Sequence, residues 1–154
     1  MNKSNKTNAM RLMDAAKIPY RALEYEYDES DLGGEHVAAV TGMNPDQVFK
    51  TLVARGDKKG ILVFCIPVSC TLDLKEAAHA AGDKKVEMIH MKELLGLTGY
   101  IRGGCSPVGM KKKYPTFMDE TAALYDEIAI SGGARGLQMV LDPQQLMEYA
   151  EITA

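Results

Sequence analysis

Apolar positions along this chain recur with two different periods, and the switches between them outline its elements. From Asn8 to Ile18, Met10, Met13, Ala16 and Ile18 fall at roughly helical spacing, and Pro19 ends the pattern. From Tyr20 to Tyr27 the period shortens: Tyr20, Ala22, Leu23, Tyr25 and Tyr27 interleave with Arg21, Glu24 and Glu26, which predicts a strand. Gly33-Gly34 breaks the chain, and Glu35 to Thr41 predicts a short helix ended by Gly42. Asn44-Pro45-Asp46 is a helix start, because Asn44 can cap and Pro45 suits the first helical position, so Gln47 to Leu52 reads as helix or turn. Ile61 to Ile66 is continuously apolar, as expected of a strand covered on both faces, and Pro67 limits it.

The second half continues in short pieces. Leu72 to Ala81 predicts a helix with Asp73 near its start and Gly82 as its terminator. Val86 to Ile89 reads as a strand, Lys92 to Leu97 as a short helix, and Tyr100 to Arg102 as a strand running into a glycine loop. Thr116 to Met118, Tyr125 to Ile130 and Leu137 to Leu141 are further strands, and Pro143 opens a terminal helix to Tyr149. The last three strands follow one another without a helix long enough for a parallel crossover. The pattern therefore predicts an α/β chain of mixed α+β character. Its sheet is mixed and strongly curved, with short helices packed around it. The length of 154 residues suits one domain over 1–154, with residues 1–7 expected to be disordered.

Composition narrows the function. A hydrophobic share of 46% with 25% charged residues is that of an ordinary globular protein. No apolar run approaches the ~20 residues of a membrane-spanning helix. Residues 1–7 are polar and do not read as a signal peptide, so a cytoplasmic protein is expected. The three cysteines, Cys65, Cys70 and Cys105, lack C-x-x-C spacing and fit reduced thiols. His36, His79 and His90 fall in separate elements, which argues against a metal site. The net charge of −3 argues against a general nucleic-acid binder but leaves room for one local contact with a nucleic-acid end. Glu24, Glu26, Asp28, Glu29, Asp31 and Glu35 crowd one acidic stretch, and Lys111 to Lys113 form the densest basic run.

That basic run follows Gly103-Gly104-Cys105-Ser106-Pro107-Val108-Gly109. Three glycines and a proline in seven residues cannot build a helix or a strand interior. They can build a tight loop that offers backbone N–H groups to a carbonyl- or phosphate-bearing ligand. A plain turn followed by solvated lysines is the competing reading. The segment lacks the G-K-[ST] ending of a phosphate-binding loop, no G-x-S-x-G is present, and no long helix follows to complete a dinucleotide fingerprint. Lys50 lies in an apolar stretch, where it either snorkels to the surface or projects a fixed cation into a cleft. Tyr25 is a packing aromatic or a pocket hydroxyl. Arg135, in the second glycine loop Ser131-Gly132-Gly133-Ala134-Arg135-Gly136, is a surface residue or an anion grip. Ser106 could donate a hydrogen bond to a ligand, and Cys105 could be a reactive thiol. Both glycine loops follow expected strands, so they fall at one end of the sheet.

Five segments in order carry a resemblance that covers nearly the whole chain. They are Asn44 to Leu52; Leu72-Asp73-Leu74-Lys75; Lys84 to Met88; Thr98-Gly99-Tyr100 with Gly103 to Gly109; and Ser131 to Leu137. Together they resemble the YbaK/EbsC family of free-standing aminoacyl-tRNA editing proteins, related to the editing domain of bacterial prolyl-tRNA synthetases. The resemblance implies a partly barrel-like sheet and a deacylase acting on the 3′ end of aminoacyl-tRNA. It implies removal of cysteine from mischarged Cys-tRNA(Pro), in some members also from Cys-tRNA(Cys), with no cofactor and no metal. The implied chemistry is substrate-assisted: the cysteinyl thiol attacks its own ester, so the protein needs no nucleophile. By this resemblance Lys50 matches the family's essential lysine. Gly103, Gly104, Ser106 and Pro107 belong to its G-x-x-x-P loop, with Cys105 and Gly109 alongside. Tyr25 matches a substrate-placing tyrosine, and Gly132, Gly133 and Arg135 match an element beside the pocket. Gln138 departs from the pattern, since relatives carry an aspartate there, and Cys105 stands where relatives often have an aliphatic residue. The implied partner is prolyl-tRNA synthetase. A deacylase for another small amino acid such as alanine on tRNA(Pro), and a non-catalytic binder of tRNA ends or nucleotides, are the alternatives.

Overall fold

In the computed structural model, residues 6–27, 30 and 34–153 are described. Helices α1 (Asn8–Ala15), α2 (Gly34–Thr41), α3 (Leu74–Ala81), α4 (Leu94–Thr98) and α5 (Pro143–Ala150) surround seven strands. The strands are β1 (Tyr20–Glu24), β2 (Phe49–Gly56), β3 (Gly60–Pro67), β4 (Val86–Met88), β5 (Thr116–Met118), β6 (Ile128–Ser131) and β7 (Leu137–Leu141). They form two sheets, ordered β1-β7-β6 and β4-β2-β3-β5, in which only β3 and β5 pair in parallel. A parallel bridge between Val48 and Ala129 joins the sheets at one edge, so they curve round a shared interior without closing a barrel.

Local chemistry sets the helix ends. Thr7 caps α1 by accepting the Met10 N–H, Asp73 caps α3 by accepting from Lys75 and Glu76, and Asp142 caps α5 by accepting from Gln144. Gly82 ends α3 in the left-handed region. Of the stretch expected to be disordered, residues 1–5 lie outside the described residues, whereas Thr7 is tied down twice. Besides capping α1, its hydroxyl donates to the Gly132 carbonyl at 2.6 Å. The Gly33 part of the expected chain break, and Asp28, Glu29 and Asp31 of the acidic stretch, also lie outside the described residues.

Two expectations need correction. The Asn44-Pro45 start leads only a single 3-10 turn, Pro45–Gln47, and the chain then extends into β2, so Lys50 lies on a strand. Register with the apolar β3, Lys50 opposite Ile66 and Leu52 opposite Phe64, decided this over the local helix-start signal. Tyr100 to Arg102 form no strand. The chain leaves α4 through Gly99 in the left-handed region and turns, with the Gly104 N–H donating to the Ile101 carbonyl. Sheet pairing also trims two expected strands, to Tyr20–Glu24 and Ile128–Ser131.

The main core lies inside the curve. Ile128, Ile130, Met139 and Leu141 of β6 and β7 pack there with Met10 and Met13 of α1 and Leu146 of α5. The other face of the same strands, carrying Ala129 and Val140, packs with Val48, Val68 and with Val37 and Ala38 of α2. Residues 62 and 64 of β3 meet α3 through Ala77 and Ala78, while Val53 and Val63, on the opposite face, meet α4 and Cys105.

Candidate functional site

Strand alternation places Lys50. Phe49 and Val53 face the interior and the Cys105 loop, so Lys50 points to the other side, the side of Val48. The parallel bridge Val48–Ala129 brings the start of β2 alongside β6, so Lys50 and Ser131, each two residues further on, lie on the same side of the two strands. Ser131 in turn opposes Gln138, and Gln138 opposes Leu23. Lys50, Ser131 and Gln138 thus form a polar row across β2, β6 and β7, on the side that Val48, Ala129 and Val140 otherwise line with apolar residues. Tyr25 continues the side of Leu23 just past β1, and its N–H donates to the Gly136 carbonyl at 3.0 Å.

The row has two unmet needs. Lys50 is half-buried, and among the described residues its ammonium has no hydrogen-bond or ion-pair partner. Gln138 is 6% exposed, and its Oε1 is buried without a hydrogen-bond partner among them. An orphaned buried acceptor costs roughly 1–3 kcal/mol, which a ligand donor would recover. Ser131, 8% exposed, turns its hydroxyl oxygen to the loop, accepting the Gly133 N–H at 3.1 Å. The cation, the amide oxygen and the Ser131 hydroxyl proton are therefore the groups left for a ligand.

The two glycine loops meet at the end of this row, although only the second follows a strand, since Tyr100 to Arg102 form none. Gly104 packs so tightly on the second loop that a Cβ there would lie 3.1 Å from the Ala134 backbone and from the Arg135 nitrogen. Arg135 Nε donates to the Arg102 carbonyl at 2.8 Å, which fastens the loops together. Gly132 is equally constrained, since a Cβ would stand 2.8 Å from Leu137 Cγ. The structure thus gathers Lys50, Tyr25, Gly132, Gly133 and Arg135, with Gly103 and Gly104 as the flanking wall.

The remainder of the Gly103–Gly109 loop turns elsewhere. Ser106 is fully buried, and its hydroxyl oxygen accepts the Val108 N–H at 3.2 Å within a short turn. Cys105 packs with Val53, Val63 and Leu94, and burial pushes its thiol up to about 12, against a smaller lowering by the Thr98 side chain. Neither side chain is presented as a ligand donor or nucleophile. Val108 belongs to the main core, and the Tyr100 hydroxyl donates to its carbonyl. Pro107 and Gly109 line a separate cavity on the side of Lys112 and Lys113. A cavity of about 1280 Å³ lies between α1 and β1 and touches the row only through Tyr25 and the Arg135 turn. We place the site on the polar row because an unpaired half-buried cation and an orphaned amide oxygen share it, whereas the other orphaned buried oxygen among the described residues, Thr121 Oγ1, is joined by no such cation.

Ser131 and Gln138 are the residues that loop-centred reading passes over as site members. A signal was present: each is the polar interruption of an apolar strand, Ile-Ala-Ile-Ser and Leu-Gln-Met-Val-Leu. No group of three or more His, Cys, Asp or Glu that could hold a metal occurs among the described residues.

A curved mixed sheet with short helices packed around it is the fold of an aminoacyl-tRNA editing domain. The family model of that name, the aminoacyl-tRNA editing domain, matches residues 33–149, and the chain belongs to this family. It is 48% identical over 153 residues, 96% of this chain and 93% of the relative, to the Enterococcus faecalis (strain ATCC 700802 / V583) protein called "Putative Cys-tRNA(Pro)/Cys-tRNA(Cys) deacylase EbsC". A crystal structure described as "a putative trans-editing enzyme for prolyl tRNA synthetase" superposes with a TM-score of 0.77 at 24% identity, covering 99% of this chain and 95% of that one. The hypothetical protein APE2540 superposes with a TM-score of 0.83 at 21% identity, covering 93% and 95%. These two likenesses bear on the fold, which they share with this chain.

Proposed function

We propose that this protein deacylates mischarged tRNA in trans, removing cysteine from Cys-tRNA(Pro). The observation that carries the reading is the half-buried Lys50, without a counter-ion among the described residues, on the same polar row as the orphaned Oε1 of Gln138, in a chain of the editing family. An unpaired, partly desolvated cation favours an anionic group, and the 3′-terminal nucleotide supplies one. The amide can accept from the ribose hydroxyl or the α-ammonium of the aminoacyl group. Tyr25 and the Gly132–Arg135 turn close the end of the row, and the backbone of Gly103 and Gly104 forms the wall beside them.

No protein nucleophile is needed for cysteine. Its thiol sulfur attacks the ester carbonyl carbon, the bond from that carbon to the ribose oxygen breaks, and the thiol proton ends on that oxygen. The products are a cyclic thioester and free tRNA. The protein contributes orientation and stabilisation of the developing oxyanion. Burial of Ser106 and the raised Cys105 thiol support this division of labour, because neither is poised to attack. A synthetase pocket for a small side chain separates near-isosteres by only a few kcal/mol, which gives a second sieve its purpose. With a net charge of −3, affinity for tRNA alone is weak, so prolyl-tRNA synthetase is the partner proposed to hold the tRNA, in the cytoplasm.

The test is a panel of tRNA(Pro) charged with cysteine, alanine, serine or proline, and tRNA(Cys) charged with cysteine. Release of cysteine with serine left much slower supports the reading, because a hydroxyl is the weaker nucleophile. Preferential release of alanine would move the substrate, and binding without release across the panel would overturn catalysis.

A further inference from the structure

The lysine run behind the glycine loop is unused by the site on the polar row, and it borders a cavity of its own. Pro107, Gly109, Lys112, Lys113, Tyr114 and Tyr149 are among the walls of a pocket of about 310 Å³, at the lower end of the range for small-ligand sites. Three features define its chemistry. Lys111, Lys112 and Lys113 are exposed, and Lys112 has no ion-pair partner among the described residues. Lys113 is partly neutralised by its ion pair with Glu151. Two aromatic rings line the cavity, Tyr149 from α5, 41% exposed, and Tyr114, whose hydroxyl is committed to the Leu97 carbonyl at 2.8 Å.

Tyr114 is thereby held in place with its hydroxyl already satisfied, so its ring is what remains to offer a ligand. A ring face beside unpaired ammonium groups is the pairing that single-stranded nucleic acid uses, base on ring and phosphate on lysine. The cavity shares its loop with the candidate site. Gly104 of that loop packs on the Ala134–Arg135 turn at the end of the row, while Pro107 and Gly109 border the lysine pocket. A strand whose last nucleotide lies on the row can therefore place an earlier one in the pocket by running along a single loop.

We propose that this pocket is a second nucleotide subsite, which takes one unpaired base and its phosphate upstream of the terminal adenosine. The inference rests on the reading of the row as the site for an aminoacyl 3′ end, and it extends the protein's contact with RNA beyond the reacting nucleotide. Tyr149 supplies the exposed stacking surface beside the fixed Tyr114 ring, and Lys112 the phosphate contact. Because each base has a π face, the subsite discriminates little between bases, and its contribution is to affinity and register.

The experiment measures the fluorescence anisotropy of an uncharged, 5′-labelled RNA minihelix with a single-stranded CCA end, over a range of salt. Tyr149→Ala is expected to weaken binding about tenfold or more, the loss of one stacked base. Lys112→Ala, at an exposed position where folding is not at stake, is expected to lower the slope of log affinity against log salt by about 0.7, one single-strand phosphate contact. Affinity and salt slope equal to wild type in both variants would overturn the subsite. In parallel, the KM advantage of a cysteinyl minihelix over a cysteinyl adenosine should shrink in Tyr149→Ala, and an advantage that survives intact counts against the subsite. Failure of the wild type to deacylate any charged RNA would sink the reading of the row instead, while the anisotropy would still decide the pocket.

Discussion

Replacing Gly104 by alanine tests whether the two glycine loops are clamped as one unit. Gly104 is not in the left-handed region, so the substitution carries no backbone penalty of that kind. Its methyl group would lie 3.1 Å from Ala134 Cα, Ala134 C and Arg135 N, closer than carbon normally sits and against backbone rather than a flexible tip. Overpacking of this sort costs about 1–3 kcal/mol. For a chain of this size each kcal/mol lowers the melting temperature by roughly 2–4 °C, so a fall of about 2–12 °C is expected. Relief comes by spreading the loops, which lengthens the 2.8 Å bond from Arg135 Nε to the Arg102 carbonyl and moves the wall beside Lys50. Thermal melts by circular dichroism read the stability, and kcat/KM for cysteinyl release reads the site. Gly96→Ala provides a control of opposite sign. Nothing lies within 4 Å of the added carbon, and the residue sits in α4, so stability should rise by about 0.4–1 kcal/mol. If Gly104→Ala melts at or above the wild-type temperature with full activity, the loops are not clamped and the reasoning fails.

Three further expectations follow from the same geometry. With Cys65 and Cys105 both pushed up to about 12 by burial, only the exposed Cys70 should react promptly with a thiol reagent at pH 8, and a fast-reacting Cys105 would contradict the packing. Gln138→Leu removes an orphaned polar group, so the melting temperature should hold or rise while kcat/KM falls about three- to tenfold, the size of one hydrogen bond; a destabilised variant with unchanged kinetics would assign Gln138 to the fold instead. Thr7→Ala deletes the α1 cap and the 2.6 Å bond to Gly132, and should cost about 1–2 kcal/mol in denaturant titration, whereas no loss would show that residue 7 anchors nothing.

The sequence was most legible where local chemistry decides the outcome. Asp73 and Gly82 delimit α3, and the unbroken apolar run from Ile61 marks a strand with both faces covered. The glycine-rich segments were readable as loops because only small residues tolerate such close backbone approach, and Gly104 against Ala134 bears that out. Lys50 was misread as part of a helix or turn, since Asn44-Pro45 is a true local start and only pairing with β3 extends the chain beyond one 3-10 turn. The polar row was the least legible feature. It depends on the Val48–Ala129 bridge between strands some eighty residues apart, and no local pattern carries a register of that kind. Within the glycine loop, composition could not show that Cys105 and Ser106 turn inward, because burial of the loop's middle depends on α4 and β2 behind it.

The account rests on Lys50 as the cation of the polar row. Single-turnover release of cysteine from Cys-tRNA(Pro), with wild type and Lys50→Ala compared at saturating protein, tests it most directly. Losing the cation that holds the terminal nucleotide misplaces the ester and slows chemistry by about 10²-fold, and a loss of that size at an unchanged melting temperature is the result predicted. A Lys50→Ala variant that releases cysteine at the wild-type rate would contradict the account.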